Sequence, residues 1–484
     1  MEINEILQQR KVKLDSLRQK GIPVYDTPES GHIEIGSILA DFQPSQKVSL
    51  CGRLMAKRKH GKVLFADLRD GTGKLQLYIK ADSVGEDKFA ILEALDIADI
   101  VGVSGELFKT HTGEPTLKVE DFKVLAKALR PLPEKWHGLK DVDVRYRQRY
   151  LDLIANEEVK KVFLMRSRII KSIRGFLDQR GFIEVETPMM HEIAGGAAGR
   201  PFKTHHNEYH MDLFMRIAPE LYLKRLIVGG LDKVYEINRS FRNEGVSIKH
   251  NPEFSMLEVY WAYANYEDMM KLTEDLISYV AKEVLGSSNF VYQGKAVDIV
   301  TPWRRVSFAE LVKNKFDIEP ADTPEAMLKK LHVKGFAKDA DKLSRSQISK
   351  IIEDVLEEDM KANPTFVTDY FTSMCPLAKT KKDNPAISER FELYIAGMEI
   401  GNAYSELNDP LEQKERFEEE VGEADKSENK SVDDDYVLAL EHGMPPAGGL
   451  GIGIDRLVML LTGQPSIRDV ILFPLLRPQE ESGK

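Results

Sequence analysis

RSFRNEGVSIKHNPEFSMLEVYWAY, residues 239–263, decides how this chain folds. It follows an apolar run carrying Val234, Tyr235 and Ile237. Arg242 and Glu244 are two residues apart, so on a strand they face one way. A turn-forming segment, Gly245 to Pro252, comes next. The second run alternates, which puts Phe254, Met256, Glu258 and Tyr260 on one face. A face carrying arginine, two glutamates and tyrosine makes a poor core and a good site for anions and amines. The pattern predicts a strand, a loop and an antiparallel strand with chemistry on one side.

Two further segments extend the reading. Near the end of the chain stands Gly448-Gly-Leu-Gly451-Ile-Gly453-Ile-Asp-Arg456, a glycine-rich strand leading into a helix from Leu457 to Leu461. It lacks the third glycine and the following parallel strand of a dinucleotide-binding unit, and the Gly-Lys-Ser/Thr of a P-loop. Earlier comes Gly181-Phe-Ile-Glu-Val-Glu-Thr-Pro188, after a helix pattern from Val162 to Gly181. Together the three segments resemble motifs 2, 3 and 1 of the class II aminoacyl-tRNA synthetases. The finer resemblance is to the lysyl-tRNA synthetases of the bacterial type, and it covers almost the whole chain.

Size and composition agree. At 484 residues the chain exceeds one core. Hydrophobic content of 42% and charged content of 30% are ordinary for a globular enzyme. Cys51 and Cys375 lie far apart and in no metal-binding pattern, so neither a disulfide scaffold nor a thiolate zinc site is expected. The first twenty residues are charged and lack an apolar stretch, so neither a signal peptide nor a membrane span is expected. A cytoplasmic enzyme is the default. Net charge is −10, yet residues 1–140 hold 22 basic and 20 acidic side chains. A locally basic N-terminal domain could meet RNA; a solvated surface explains the same counts.

The expected organisation is α+β. Residues 1–140 hold a helix from Glu2 to Gly21 and then short alternating strands with glycine turns, the pattern of a small barrel, with a helical stretch at Asp87 to Leu95. By resemblance this is an OB-fold anticodon-binding domain. Arg130-Pro-Leu-Pro133 reads as a linker. Residues 141–484 are the expected catalytic domain, an antiparallel sheet with flanking helices. Within it, motif 1 spans about 171–190, motif 2 about 235–263, a helical insertion about 308–361 and motif 3 about 448–461. Phe391 to Leu407 is strand-like, and Glu412 to Asp435 is charged, helical and then loose.

The resemblance implies roles residue by residue. Arg242 matches the arginine that bridges the α-phosphate of ATP and the amino-acid carboxylate, and Arg456 the one that meets the γ-phosphate. Glu244, His250, Asn251 and Phe254 match the ATP pocket, with Phe254 stacking on adenine. Glu392 and Glu399 match carboxylates that hold Mg²⁺, Glu392 also counting toward the ATP site. Seven residues apart on a flat strand they would face opposite ways, so a bulge or bend must intervene, and the same spacing also suits a helix face. Glu220 and Gly196 match the site for the α-amine of L-lysine. Glu258, Tyr260 and Glu406 match the ε-amine site, with Asn402 toward the carboxylate and Tyr404 on the aliphatic stem. Three carboxylates, with Arg242 as the only cation on the matched positions, suit a substrate with two ammonium groups.

In the barrel, Phe65, Gln76 and Arg58 match residues that stack on and hydrogen-bond the anticodon of tRNA(Lys); without that match Phe65 reads rather as barrel core. Lys249 stands where these enzymes commonly have arginine, and Tyr404 where phenylalanine is common. The resemblance also implies a homodimer through motif 1. Two other readings are weaker. A tRNA-independent paralogue lacks the barrel, and a non-catalytic homologue usually loses the motif arginines, here Arg242 and Arg456.

Overall fold

The period-2 alternation after Lys47 folds into five strands, Lys47–His60, Val63–Arg69, Lys74–Lys80, Ile100–Lys109 and Pro115–Ala126. They close into a barrel in which the fifth strand lies between the third and fourth. Leu64, Ala66 and Leu68, and Leu75, Leu77 and Ile79 across from them, fill the interior, while their sequence neighbours face out. Gly105 lets two strands touch: a Cβ there would lie 1.9 Å from the Lys118 carbonyl oxygen. The helix Ile3–Gln19 is pinned to the barrel by Arg10, which donates to the carbonyls of Ala128 and Arg130 at 3.0 Å each.

This computed structural model describes residues 3–28, 30–133, 139–197, 199–336, 345–423 and 431–479. The chain forms two compact units, 1–140 and 141–484.

The second unit is built on eight strands. Their order across the sheet is Arg304–Ser307, Thr365–Thr368, Arg390–Ile395, Met398–Ser405, Ala447–Gly453, Glu253–Ala262, Lys233–Phe241 and Ile183–Glu184. The two outermost pairings are parallel and all those between are antiparallel. The fold is α+β, an OB-type barrel and an antiparallel-rich sheet, and no doubly wound parallel sheet is present among the described residues. Helices Glu157–Asp178, Tyr266–Leu285 and Ile454–Thr462 cover one face through a core that includes Ile173, Phe176, Leu276 and Leu457.

Several local expectations shift. The helix read from Val162 begins at Glu157, and Gly181 lies past its end at φ 76°. The strand-like stretch Phe391 to Leu407 is a tight hairpin. Ala396 and Gly397 turn it at φ 55° and 74°, the left-handed pair that fits a two-residue turn to strand twist. Arg242 and Glu244 do not continue the strand. The Arg242 N–H donates to the Pro252 carbonyl at 2.9 Å, and proline has no N–H to return, so the ladder stops and Glu244 sits exposed in the loop. The insertion holds helices Phe308–Phe316, Pro324–Val333 and Arg345–Asp359 around their own core of Phe308, Phe316, Leu331 and Ile352. Its residues 337–344, and 424–430 of the charged stretch, lie outside the described residues.

Candidate active site

The other face of the sheet carries the candidate groups in two rows. Glu236, Glu258, Gly451, Asn402 and Glu392 are successive cross-strand partners. Tyr260, Gly449, Tyr404 and Arg390 form the next row. The glycines are the floor between facing side chains. A Cβ on Gly449 would lie 1.9 Å from Oε1 of Glu406 and 2.7 Å from the Tyr260 ring. One on Gly451 would stand 3.3 Å from both Glu258 oxygens. A strand with side chains here would fill the pocket, which is the physical reason for the glycine-rich run.

At one end sits Arg242. Its guanidinium lies 5.2 Å from the Phe254 ring centroid, and its Nε is buried without a hydrogen-bond partner. Among the described residues it forms no ion pair. Gly199 makes room for it, since a Cβ there would meet the Arg242 side chain at 3.2 Å. Arg456 donates to Oε2 of Glu399 at 2.8 Å and lies 3.1 Å from Nε2 of His250. Arginine can only donate, so Nε2 accepts and the His250 proton sits on Nδ1, 2.8 Å from the Ser247 hydroxyl. Burial and then Arg456 lower the His250 pKa, which agrees with a neutral ring. Lys249 bonds Glu357 of the insertion at 2.9 Å and the Gly397 carbonyl, and the same Glu357 oxygen accepts the Glu399 N–H. Asn251 is buried, and its amide donates to the Glu253 carbonyl at 2.6 Å. It lines a cavity of about 830 Å³ with Phe241, Pro252 and Phe473.

Glu392 and Glu399 come to one face. The hairpin pairs Tyr394 with Glu399, and a bulge at this point shifts the register so that Glu392 pairs with Asn402. The Tyr394 hydroxyl donates to Glu392 at 2.6 Å, with Tyr370 at 2.7 Å on the same oxygen and Arg390 at 2.5 Å on the other. Glu399 is one-third exposed, and although burial opposes it, Arg456 lowers its carboxyl pKa. No set of three metal-ligating side chains occurs among the described residues. Two hard carboxylates beside Arg390 and Arg456 still fit Mg²⁺, which commonly takes one or two carboxylates plus substrate phosphates. Glu353 of the insertion faces the same pair; burial and then Glu392 push its carboxyl up.

The acidic end holds Glu220, Glu258 and Glu406, all buried. Gly196, at φ 86°, places its backbone against Glu220, with the Cβ direction 3.4 Å from the Glu220 Cβ. The Tyr404 hydroxyl donates to Oε1 of Glu220 at 2.6 Å. Burial and the Glu220 carboxylate push the Glu258 carboxyl up to about 8, with Arg242 and Arg216 pulling it back. Arg216 itself is tied to Glu236 at 2.7 Å beneath the row. One group changes the charge count. Lys224, fully buried, bonds Glu220 at 2.6 Å and pairs with Glu406. The pocket therefore holds a second cation that the matched positions did not include. In sequence Lys224 lies within Glu220-Leu-Tyr-Leu-Lys-Arg-Leu, which reads as an amphipathic helix with lysine on its wet side. Only the i, i+4 spacing to Glu220 hints at a pair.

In the barrel unit, Phe65 and Gln76 lie on the outer face, so Phe65 is not a core residue. Phe65 is followed by Tyr78 at 5.4 Å and Phe108 a further 5.7 Å on, and His60 flanks it at 6.3 Å. Arg58, exposed and directly across from Phe65, lies 3.9 Å from Asp67. Gln76 accepts from Thr116 at 3.1 Å. The result is an aromatic strip with polar edges.

A family model for class II tRNA synthetases of the D, K and N group matches residues 141–477, which fixes the class. A second, for OB-fold nucleic acid binding domains, matches residues 48–125. Proteins named Lysine--tRNA ligase are similar over their full length. That of Carboxydothermus hydrogenoformans is 52% identical over 486 residues, covering 99% of each chain. That of Pelotomaculum thermopropionicum is 53% identical, covering 99% of this chain and 96% of the relative. That of Clostridium botulinum is 48% identical, with 99% and 97% covered. The chain belongs to the lysine--tRNA ligase family of class II aminoacyl-tRNA synthetases.

Proposed function

We propose that this chain ligates L-lysine to tRNA(Lys) at the expense of ATP, through a lysyl-adenylate. A lysine carboxylate oxygen bonds to the α-phosphorus of ATP, the bond to the β-phosphate oxygen breaks, and diphosphate leaves. The lysyl group then passes to tRNA with release of AMP. No covalent enzyme intermediate is needed, so the protein's work is positioning and charge stabilisation. The observation that carries the reading is Arg242, whose buried Nε is unpartnered and whose guanidinium has Arg456 and Glu399 on one hand and Glu258 on the other as charged neighbours.

In this reading Arg242 holds the lysine carboxylate against the α-phosphate, and Arg456 and His250 hold the outer phosphates. Phe254 and Glu244 take the adenine. Glu392 and Glu399 hold Mg²⁺, which supplies charge neutralisation on the phosphates. Glu220 and the Gly196 backbone take the α-amine. Glu258, Tyr260 and Glu406 take the ε-amine, with Tyr404 and Asn402 along the substrate. The barrel's Phe65, Gln76 and Arg58 read the anticodon. No helix among the described residues is long and apolar enough to cross a membrane, and we place the enzyme in the cytoplasm as a homodimer.

Amino-acid-dependent pyrophosphate exchange across the twenty amino acids tests the reading. Lysine should be activated, aspartate and asparagine should not, and ornithine should be poor because its amine is one methylene short. Glu406→Gln should lose most of the lysine preference, since a buried ammonium without its carboxylate is costly. Efficient aspartate activation by the wild type would overturn the assignment.

A further inference from the structure

Lys224 has no place among the substrate contacts, yet it is the most completely enclosed charge at the acidic end. It projects from the helix Glu220–Val228 into a core that includes Leu221, Tyr260 and Tyr436, and it is fully buried. Its ammonium bonds Oε1 of Glu220 at 2.6 Å, and that same oxygen takes the Tyr404 hydroxyl at 2.6 Å. Its other contact is Oε2 of Glu406. The rings of Tyr404 and Tyr436 lie 5.4 and 6.0 Å from it. Oε1 of Glu406 is buried without a hydrogen-bond partner and occupies the space that Gly449 leaves open. Glu406 thus has Oε2 on Lys224 and Oε1 toward Gly449, while Oε1 of Glu220 is shared by Lys224 and the Tyr404 hydroxyl.

We infer that Lys224 is a positioning residue of the amino-acid pocket: with the Tyr404 hydroxyl it fixes Glu220 and Glu406 so that one oxygen of each faces a substrate amine. This rests on the lysine-activating reading above. A carboxylate with no fixed partner in a dry site rotates, or takes up a proton, and either outcome removes the acceptor an ammonium needs. Lys224 is the cation that bonds both buried carboxylates, and a buried carboxylate stripped of its partner is strongly unfavourable.

The test is steady-state pyrophosphate exchange by the full-length chain as wild type, Lys224→Met and Tyr404→Phe, with KM for lysine, KM for ATP and kcat measured separately. Losing charge-assisted hydrogen bonds to buried carboxylates should raise the KM for lysine about 10- to 100-fold in Lys224→Met. The kcat at saturating lysine should stay within about threefold of wild type, and the KM for ATP should not move, because a lost ground-state contact acts on KM. Tyr404→Phe, which removes a single hydroxyl, should shift the lysine KM in the same direction by about threefold to tenfold. An unchanged lysine KM in either variant overturns the inference, as does a fall in kcat matching the rise in KM or a parallel loss of ATP binding. If Lys224→Met does not fold, Tyr404→Phe decides alone. A wild type that fails to activate lysine overturns the underlying reading; an active wild type with indifferent variants overturns only the role of Lys224.

Discussion

Glu258 shows how a single buried carboxyl couples substrate to pH. Its pKa of about 8, raised by burial and Glu220, leaves it mostly protonated at neutral pH in the empty pocket. The folded state then holds a proton that the unfolded chain lacks between its ordinary pKa and about 8, so this group's contribution to stability falls as pH rises through that window. An entering ammonium favours the ionised form and expels the proton. Lysine affinity should therefore rise with pH from about 6 to about 8, by up to about tenfold per unit, and flatten above. Calorimetry at pH 7 in buffers of different ionisation enthalpy should show net proton release; its absence with a flat pH profile would count against the assignment of Glu258. Arg242 makes a kinetic prediction at the same scale. Its buried Nε has no hydrogen-bond partner in the protein, and in the proposed reading it meets the substrates. Arg242→Ala should lower exchange about 10²- to 10³-fold, the typical cost of removing one transition-state charge contact. A variant that keeps near wild-type exchange would refute the role.

Elements were legible where periodicity speaks and obscure where a turn or a burial decision depends on distant partners. The strand–loop–strand around Arg242 could be read because alternation and Gly245 to Pro252 punctuate it. The Arg390–Ser405 hairpin could not, because Ala396 in a left-handed turn position carries no sequence signal. That hairpin, with its bulge, is what brings Glu392 and Glu399 to one face. Lys224 was hidden for a related reason: a lysine on an amphipathic helix looks solvated until the opposing Glu406 and Tyr436 cover it. The barrel's alternation was clear, but whether Phe65 faces in or out depends on register, which the closed sheet settles as out. The outward strip gives an element-scale prediction. Phe65→Ala should weaken tRNA charging by about 1–3 kcal/mol, the cost of one lost stacked base. Exchange without tRNA should be unaffected, because the proposed activation site is built from residues of the second unit. Loss of tRNA-free exchange in this variant would contradict the division of labour.

At the scale of the whole molecule, the second unit leaves one sheet edge poorly protected. Its last strand, Ile183–Glu184, is only two residues long and pairs on one side alone, with Lys233–Phe241. Ile183 is 51% exposed there. Met190 and Leu164, from the segments flanking this strand, are 52% and 57% exposed. Edge strands and exposed apolar side chains are ordinarily shortened, charged or covered. Here the shortening is present and the charge is partial, since Arg174 pairs with Glu184 at 2.9 Å beside an apolar neighbour. A second copy related by two-fold symmetry covers such a surface with its own, as the commonest closed assembly does. We expect a homodimer burying more than roughly 2,000 Å² in total, the range of obligate pairs. Sedimentation velocity at micromolar concentration should give the dimer's mass for the wild type. The double substitution Leu164→Asp with Met190→Asp should shift it toward monomer and reduce exchange, because helix Glu157–Asp178 also holds Arg166, which bonds Asp455 at 2.6 Å beside the candidate phosphate-binding Arg456. A wild type that sediments as a monomer with full activity would refute both the interface and this link from motif 1 to the site.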